Sequence, residues 1–122
     1  ASTNVAFTAG ITSSDSSWSG STLVFPKIIF NAGGGYNPTT GMFTAPVDGH
    51  YVFFVSVQSH DTKEIRVDIV LNGESQDYYE TGVNLVVLRL NQGDKVWVKR
   101  SQGTGYYSSS VPVITTFSGF LL

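Results

Sequence analysis

The chain holds few side chains that could make or break a covalent bond. Its 122 residues include no Cys and two His. His50 follows the turn Pro46-Val47-Asp48-Gly49 and opens an apolar run, the place of a strand-end imidazole with its ring satisfied. Ser59-His60-Asp61 contains the residue types of a hydrolytic triad. As neighbours on an extended segment they point to opposite faces and do not converge. There is no Gly-x-Ser-x-Gly elbow. Gly33-Gly34-Gly35 is not followed by Lys-Ser or Lys-Thr, so it is no phosphate cradle and reads as a bend or bulge. Two His without Cys give no transition-metal spacing. The chemistry points away from an enzyme and towards binding.

Two stretches carry the chemistry of recognition. One is Asp77-Tyr78-Tyr79-Glu80; the other is Tyr106-Tyr107-Ser108-Ser109-Ser110. Sugars are held by aromatic faces beside hydroxyl, amide and carboxylate groups. Tyr is a rigid amphipathic platform of low entropy cost, and Ser both donates and accepts hydrogen bonds. The candidate carbohydrate-binding residues are therefore Tyr78, Tyr79, Glu80, Tyr106, Tyr107 and Ser108. The plainer alternative packs these tyrosines on strand edges or on a neighbouring subunit. Calcium, which takes carboxylates and carbonyls on loops, is the cation that suits the pair Asp77 and Glu80. A solvated hairpin end is the alternative there.

The elements that must position these residues are strands. No segment of ten or more residues has helical periodicity, and strand-length runs recur every ~8–12 residues between turn signals, which predicts a sandwich or barrel. The expected strands cover residues 5–10, 23–30, 42–45, 51–59, 64–71, 75–80, 83–90, 95–100 and 113–122. Val52 to Val57 is the densest β-forming run. Ile65, Val67, Ile69 and Leu71 share one face of their strand, with Val70 the exception. Asn72-Gly73 is a strong hairpin signal. Val83 to Leu90 is so apolar that burial on both faces is expected. Trp18, alone in a polar loop, is expected to tuck onto the nearest strand.

Composition narrows the partners. The apolar fraction is 41%, the charged fraction 13% and the net charge −2, values of a folded globule. Length fits one domain over 1–122. Seven Lys and Arg without a basic stripe argue against nucleic acid. Lys95, Lys99 and Arg100 cluster, as solubilising charges on an edge strand do. No apolar run approaches the ~20 residues that span a bilayer, so membrane insertion is not expected. Ala1 opens the chain without a charged, apolar leader, which reads as a processed or trimmed start.

The spacing of Phe25, Asn31, Tyr36, Phe43, Gly49, Tyr51 and Phe53 resembles the complement C1q-like globular head domain. The last aromatic of that pattern is Val55 here, with Phe54 beside it. Val5 to Gly10 resembles the opening strand of the family, Gly93 to Val98 its penultimate strand, and Thr116 to Leu122 its closing strand. The resemblance implies an all-β fold, a ten-stranded jelly-roll sandwich similar to that of tumour necrosis factor. It also implies secretion and a compact homotrimer. Apolar side chains on both faces of the central and closing strands suit such a trimer, with Val52, Phe54, Phe120 and Leu122 on the second face. Relatives with an Asp-Tyr pair near the trimer apex hold calcium, which implicates Asp77. A stand-alone head without Gly-X-Y repeats is similar to invertebrate, especially molluscan, members that are lectin-like. The expectation is a secreted pattern-recognition protein of innate immunity that binds microbial or sialylated glycans. A second class stays open, an extracellular structural or receptor-ligand trimer that binds protein partners.

Overall fold

The computed structural model describes residues 4–59, 65–75, 83–109 and 113–122. Two antiparallel sheets face each other. The first has the order β3-β1-β11-β6-β9, from Lys27–Ala32, Ala6–Ile11, Thr115–Leu121, Gly49–Ser56 and Val83–Leu90. The second has the order β4-β5-β10-β7-β8, from Tyr36–Asn37, Met42–Thr44, Lys95–Gly103, Ile65–Leu71 and Glu74–Ser75. A further two-residue strand, β2 (Thr22–Leu23), pairs with β10 beside this path. Among the described residues, eleven strands in two facing sheets make the expected jelly roll, one short strand more than the ten expected.

The region expected as one strand over 23–30 is two. Its start, β2, lies in the second sheet and its continuation, β3, in the first. Pro26 stands between them, where a residue without an N–H cannot continue a ladder. Phe25 is fully buried at this crossing.

The aromatic residues of the sequence pattern, Phe25, Tyr36, Phe43, Tyr51 and Phe53, converge in the core. Tyr51, Phe53 and Val55 point inward from β6 and are fully buried. Phe7 is the hub, with ring centroids 4.8 Å from Tyr36, 5.2 Å from Phe43 and 5.0 Å from Phe117. The Tyr36 hydroxyl accepts from Phe25 N at 3.1 Å and donates to Phe25 O at 2.9 Å. Asn31 Nδ2 donates to Tyr36 O at 3.2 Å. Burial pushes the Tyr36 phenol up to about 12, against the smaller opposing effect of its bond to Phe25. Gly119 lies under the rings; a Cβ there would stand 2.7 Å from atoms of both Phe53 and Phe7. The hairpin at Asn72-Gly73 has φ 49° and 98°, as a type I′ turn requires.

The expectation that Val83 to Leu90 is covered on both faces is corrected. Among the described residues β9 is the edge of the first sheet and pairs with β6 alone. Leu88 and Leu90 are buried, but Leu85 is 60% and Val87 53% exposed. Their apolar side chains join rows across the outer face of the first sheet. One row runs Val87, Val52, Phe120, Ala6, Ala32; the next runs Leu85, Phe54, Ser118, Thr8, Phe30.

Candidate functional site

The second tyrosine stretch forms a clamped loop at one end of the sandwich. Gly105 enters it at φ +80°, and a Cβ there would meet Ser16 O at 2.7 Å, so only glycine fits. Gly105 N donates to Trp18 O at 2.8 Å. Tyr106 then bridges to Asp15, its N donating to Asp15 O at 2.9 Å and its O accepting from Asp15 N at 3.1 Å. Tyr107 bridges to the other side, donating from N to Gln58 O at 2.8 Å.

Extended backbone sends the two neighbouring tyrosines in opposite directions. Tyr106 packs edge-on against Trp18, with centroids 5.8 Å apart, and both rings rest on the core. Trp18 is thus tucked in, as the sequence predicts. Burial, and behind it the Asp15 carboxylate, raises the Tyr106 phenol above its ordinary value. Tyr107 is 44% exposed. It lines a depression of about 430 Å³ together with Gln58, Ser59 and Ile114.

Ser108 does not sit where a ligand-contacting serine would. It is 4% exposed. Its hydroxyl donates to Ile11 O and accepts from Ile114 N and Thr115 N, both at 3.3 Å. Ser14 Oγ donates to Ser108 O at 2.8 Å and accepts from Ser108 N at 2.9 Å. Beside it, Thr115 Oγ1 donates to Tyr107 O at 2.7 Å and accepts from Gln58 N at 3.3 Å. The side chain offered by the sequence as a sugar contact is instead a pin that fixes the loop under Tyr107. Gln58, Ser59 and Ile114 are lining residues that the sequence did not flag. Gln58 and its neighbour Ser59 reach Tyr107 through a pairing 49 residues apart in the chain, and no local signal marks it.

The other candidates fall elsewhere. Asp77, Tyr78, Tyr79 and Glu80 lie outside the described residues, as do His60 and Asp61. The fit of calcium to Asp77 and Glu80 is therefore left to the sequence. Among the described residues no group of three or more His, Asp or Glu could hold a metal ion. His50 is exposed on β6, in register with Arg89. Val52, Phe54, Phe120 and Leu122 are not part of the loop site. Phe54, Phe120 and Leu122 are exposed and Val52 is half-buried. Phe120, Phe30, Ala6 and Ala32 border a second depression, of about 330 Å³, in the outer face of the first sheet. Among the described residues no helix is long and apolar enough to cross a membrane.

Comparison with known proteins gives a consistent picture. A family model described as the C1q domain matches residues 6–122. The chain is similar to Complement C1q tumor necrosis factor-related protein 3 of Mus musculus, with 34% identity over 110 residues, 82% of this chain and 44% of that protein. It is similar to Complement C1q tumor necrosis factor-related protein 6 of Mus musculus, with 36% identity over 111 residues, 82% of this chain and 42% of that protein. The chain thus spans less than half the length of these relatives. Among solved structures, the globular domain of zebrafish complement 1qA superposes with a TM-score of 0.73 at 21% identity, covering 98% of this chain and 97% of that one. Murine APRIL superposes with a TM-score of 0.65 at 17% identity, covering 98% and 99%. At such identities these two likenesses bear on the fold alone.

Proposed function

Because this chain belongs to the C1q domain family, we propose that it is an extracellular recognition domain that works as a homotrimer and binds glycans of microbial or sialylated surfaces in innate immunity. The observation that carries this reading is Tyr107. An exposed phenol ring overhangs a depression that also offers the Gln58 amide, the Ser59 hydroxyl and an apolar wall at Ile114. That is the mixture a pyranose ring needs, a flat apolar face beside groups that bond hydroxyls. The clamp through Ser14, Ser108 and Thr115 supports it further, because a pre-ordered loop loses little entropy on binding. Tyr106 belongs to the support of the loop, and the contact is assigned to Tyr107. Tyr78, Tyr79 and Glu80, with Asp77 as the calcium candidate, are proposed from sequence as a second contact region.

The homotrimer is supported by the outer face of the first sheet. Its rows of exposed Leu85, Val87, Phe54 and Phe120 are a large apolar surface for a chain of this size. Burying them against two more copies removes that surface from water, with Val52, Phe54, Phe120 and Leu122 at the contact. Three weak sugar sites on one particle then bind a glycan-coated surface by avidity.

The test is a glycan array with the purified protein, with and without a calcium chelator, beside a mass from light scattering. Glycan binding that drops about tenfold or more in Tyr107→Ala, at unchanged thermal stability, is the expected result. A trimer that binds no glycan would move the function to recognition of a protein partner. A monomer would overturn the assembly.

A further inference from the structure

The turn Asn72-Gly73 carries chemistry that its role in the hairpin does not use. The side-chain amide of an asparagine can be attacked by the backbone nitrogen of the next residue, and glycine, without a Cβ, crowds that nitrogen least. This is the one Asn-Gly pair in the chain; the other asparagines precede Val5, Ala32, Pro38, Leu85 and Gln92. Both residues of the turn are exposed, and a Cβ built on Gly73 would meet nothing within 4 Å, so water reaches the pair freely.

The fold holds this pair in check. Asn72 N donates to Lys95 O at 2.8 Å. The side chain then bonds the same segment twice. Oδ1 accepts from Lys95 N at 2.8 Å, and Nδ2 donates to Asp94 Oδ1 at 3.2 Å. The amide is thus fixed at both ends, facing residues 94 and 95. Asp94 Oδ2 accepts from Asn91 N at 2.8 Å, and Asp94 O accepts from Ala45 N at 2.9 Å. The clamp therefore joins the hairpin to two other connections at one end of the sandwich. Lys95 opens β10, the middle strand of the second sheet and not the edge its charges suggested. Its ammonium is drawn to the other side of that strand, donating to Thr44 Oγ1 on β5 at 3.0 Å.

We propose that Asn72 is a self-modification site, kept as an amide by this clamp and converted to an acid when the turn opens. In the open turn the Gly73 nitrogen attacks Cγ of Asn72. A C–N bond forms, the Cγ–Nδ2 bond breaks, and ammonia leaves with the proton of the Gly73 nitrogen, giving a cyclic imide. Water adds to either imide carbonyl. The ring opens to aspartate, or to isoaspartate, whose main chain runs through the side-chain carbon. Either product is a carboxylate that cannot donate to Asp94. Two carboxylates then meet where an N–H bridged the gap, and like charges in contact resist closure. Isoaspartate also lengthens the turn by one carbon and spoils the register of Leu71 with Glu74. The change runs one way and records how often this end of the sandwich opens. The site lies at the far end of β10 from the Tyr107 loop and does not rest on the glycan reading.

The test is peptide mapping by mass spectrometry of protein held at mildly alkaline pH, well below its Tm, and digested at acidic pH to halt the reaction. The acid form accumulates at Asn72, while Asn31, Asn84 and Asn91 stay amides. The same chain unfolded in guanidinium chloride reacts about tenfold faster, because both side-chain bonds are gone. Asp94→Ala removes the acceptor of Nδ2 and speeds the reaction of the folded chain about fivefold. Asn72→Asp melts about 4 °C below the parent, and adding Asp94→Asn restores most of that loss. If Asp94→Ala does not fold, the ratio of folded to unfolded rates and the Asn72→Asp pair carry the decision. Equal rates in the folded and unfolded chain, or an unchanged rate in folded Asp94→Ala, overturn the clamp. A folded chain that stays wholly amide while the unfolded chain converts overturns the modification. Asn72→Asp with the Tm of the parent overturns the one-way consequence.

Discussion

Replacing Ser108 with Ala separates a structural pin from a ligand contact. The substitution removes an oxygen that donates to Ile11 O and accepts two N–H groups, from Ile114 and Thr115. Thr115 is fully buried and the seryl site is 4% exposed, so water does not replace the lost partner easily. An unsatisfied buried polar group costs about 1–3 kcal/mol. Here the Ile11 carbonyl contributes most, because both accepted bonds are long, at 3.3 Å. The expected loss is about 2–3 kcal/mol. For a chain of this size each kcal/mol lowers Tm by about 4 °C, so Ser108→Ala should melt roughly 8–12 °C below the parent. Differential scanning calorimetry reads this directly, and urea unfolding at constant slope confirms that stability alone has changed. Glycan affinity measured well below the new Tm should fall modestly, through a looser Tyr107. A Tm within about 1 °C of the parent, together with abolished glycan binding, would refute the pin and restore Ser108 as a contact.

Three further outcomes follow from the core and the turns. Gly119→Ala drives a methyl to within 2.7 Å of the Phe7 and Phe53 rings and should cost about 1–3 kcal/mol by chemical denaturation. Full stability in that variant would mean that the ring stack moves aside freely. The Tyr36 phenol titrates near 12 in the fold and at the ordinary 10.0 when unfolded, so its contribution is whole below pH 10. It is lost as pH rises towards 12, and Tyr36→Phe should flatten that alkaline loss in a pH series of unfolding midpoints. Asp94 behaves in the opposite sense. Its carboxylate accepts from Asn91 N at 2.8 Å and Asn72 Nδ2 at 3.2 Å, which holds it below the usual 3.8. Its contribution is present above that value and is lost as pH falls below it. Asp94→Asn should therefore reduce the acid sensitivity of unfolding, and an unchanged acid limb would sink the assignment.

Local chemistry made much of this fold legible. The aromatic spacing from Phe25 to Phe53 marks residues that meet in the core, since alternation on a strand decides which of them face inward. Asn72-Gly73 fixed its turn by backbone geometry alone. What stayed hidden is set by distant partners. Nothing near Val83 to Leu90 says that β9 ends its sheet, so its apolar outer side was expected to be covered. Nothing near Lys95 says that β10 is central, so its charges passed for edge protection. The site divides the same way. Tyr107 was visible as an aromatic in a polar loop, whereas Gln58 joins it only through the bridge between separate segments. Ser108 was misleading because a buried, saturated hydroxyl and an exposed, adaptable one are the same letter.

The position of β11 bears on how the molecule is made. It lies between β1 and β6, pairing with both along nearly its whole length. Until residue 121 has left the ribosome, the two strands that flank it have a gap where their shared neighbour belongs. The first sheet is therefore closed from its middle, by the strand that comes last in the chain among its own five. Nascent chains that have not yet released β11 would expose the Phe7 ring stack and two unpaired strand flanks, a state prone to sticking to its own kind. Prompt emergence of β11, or a chaperone holding the open sheet until it arrives, is built into the demands of this topology.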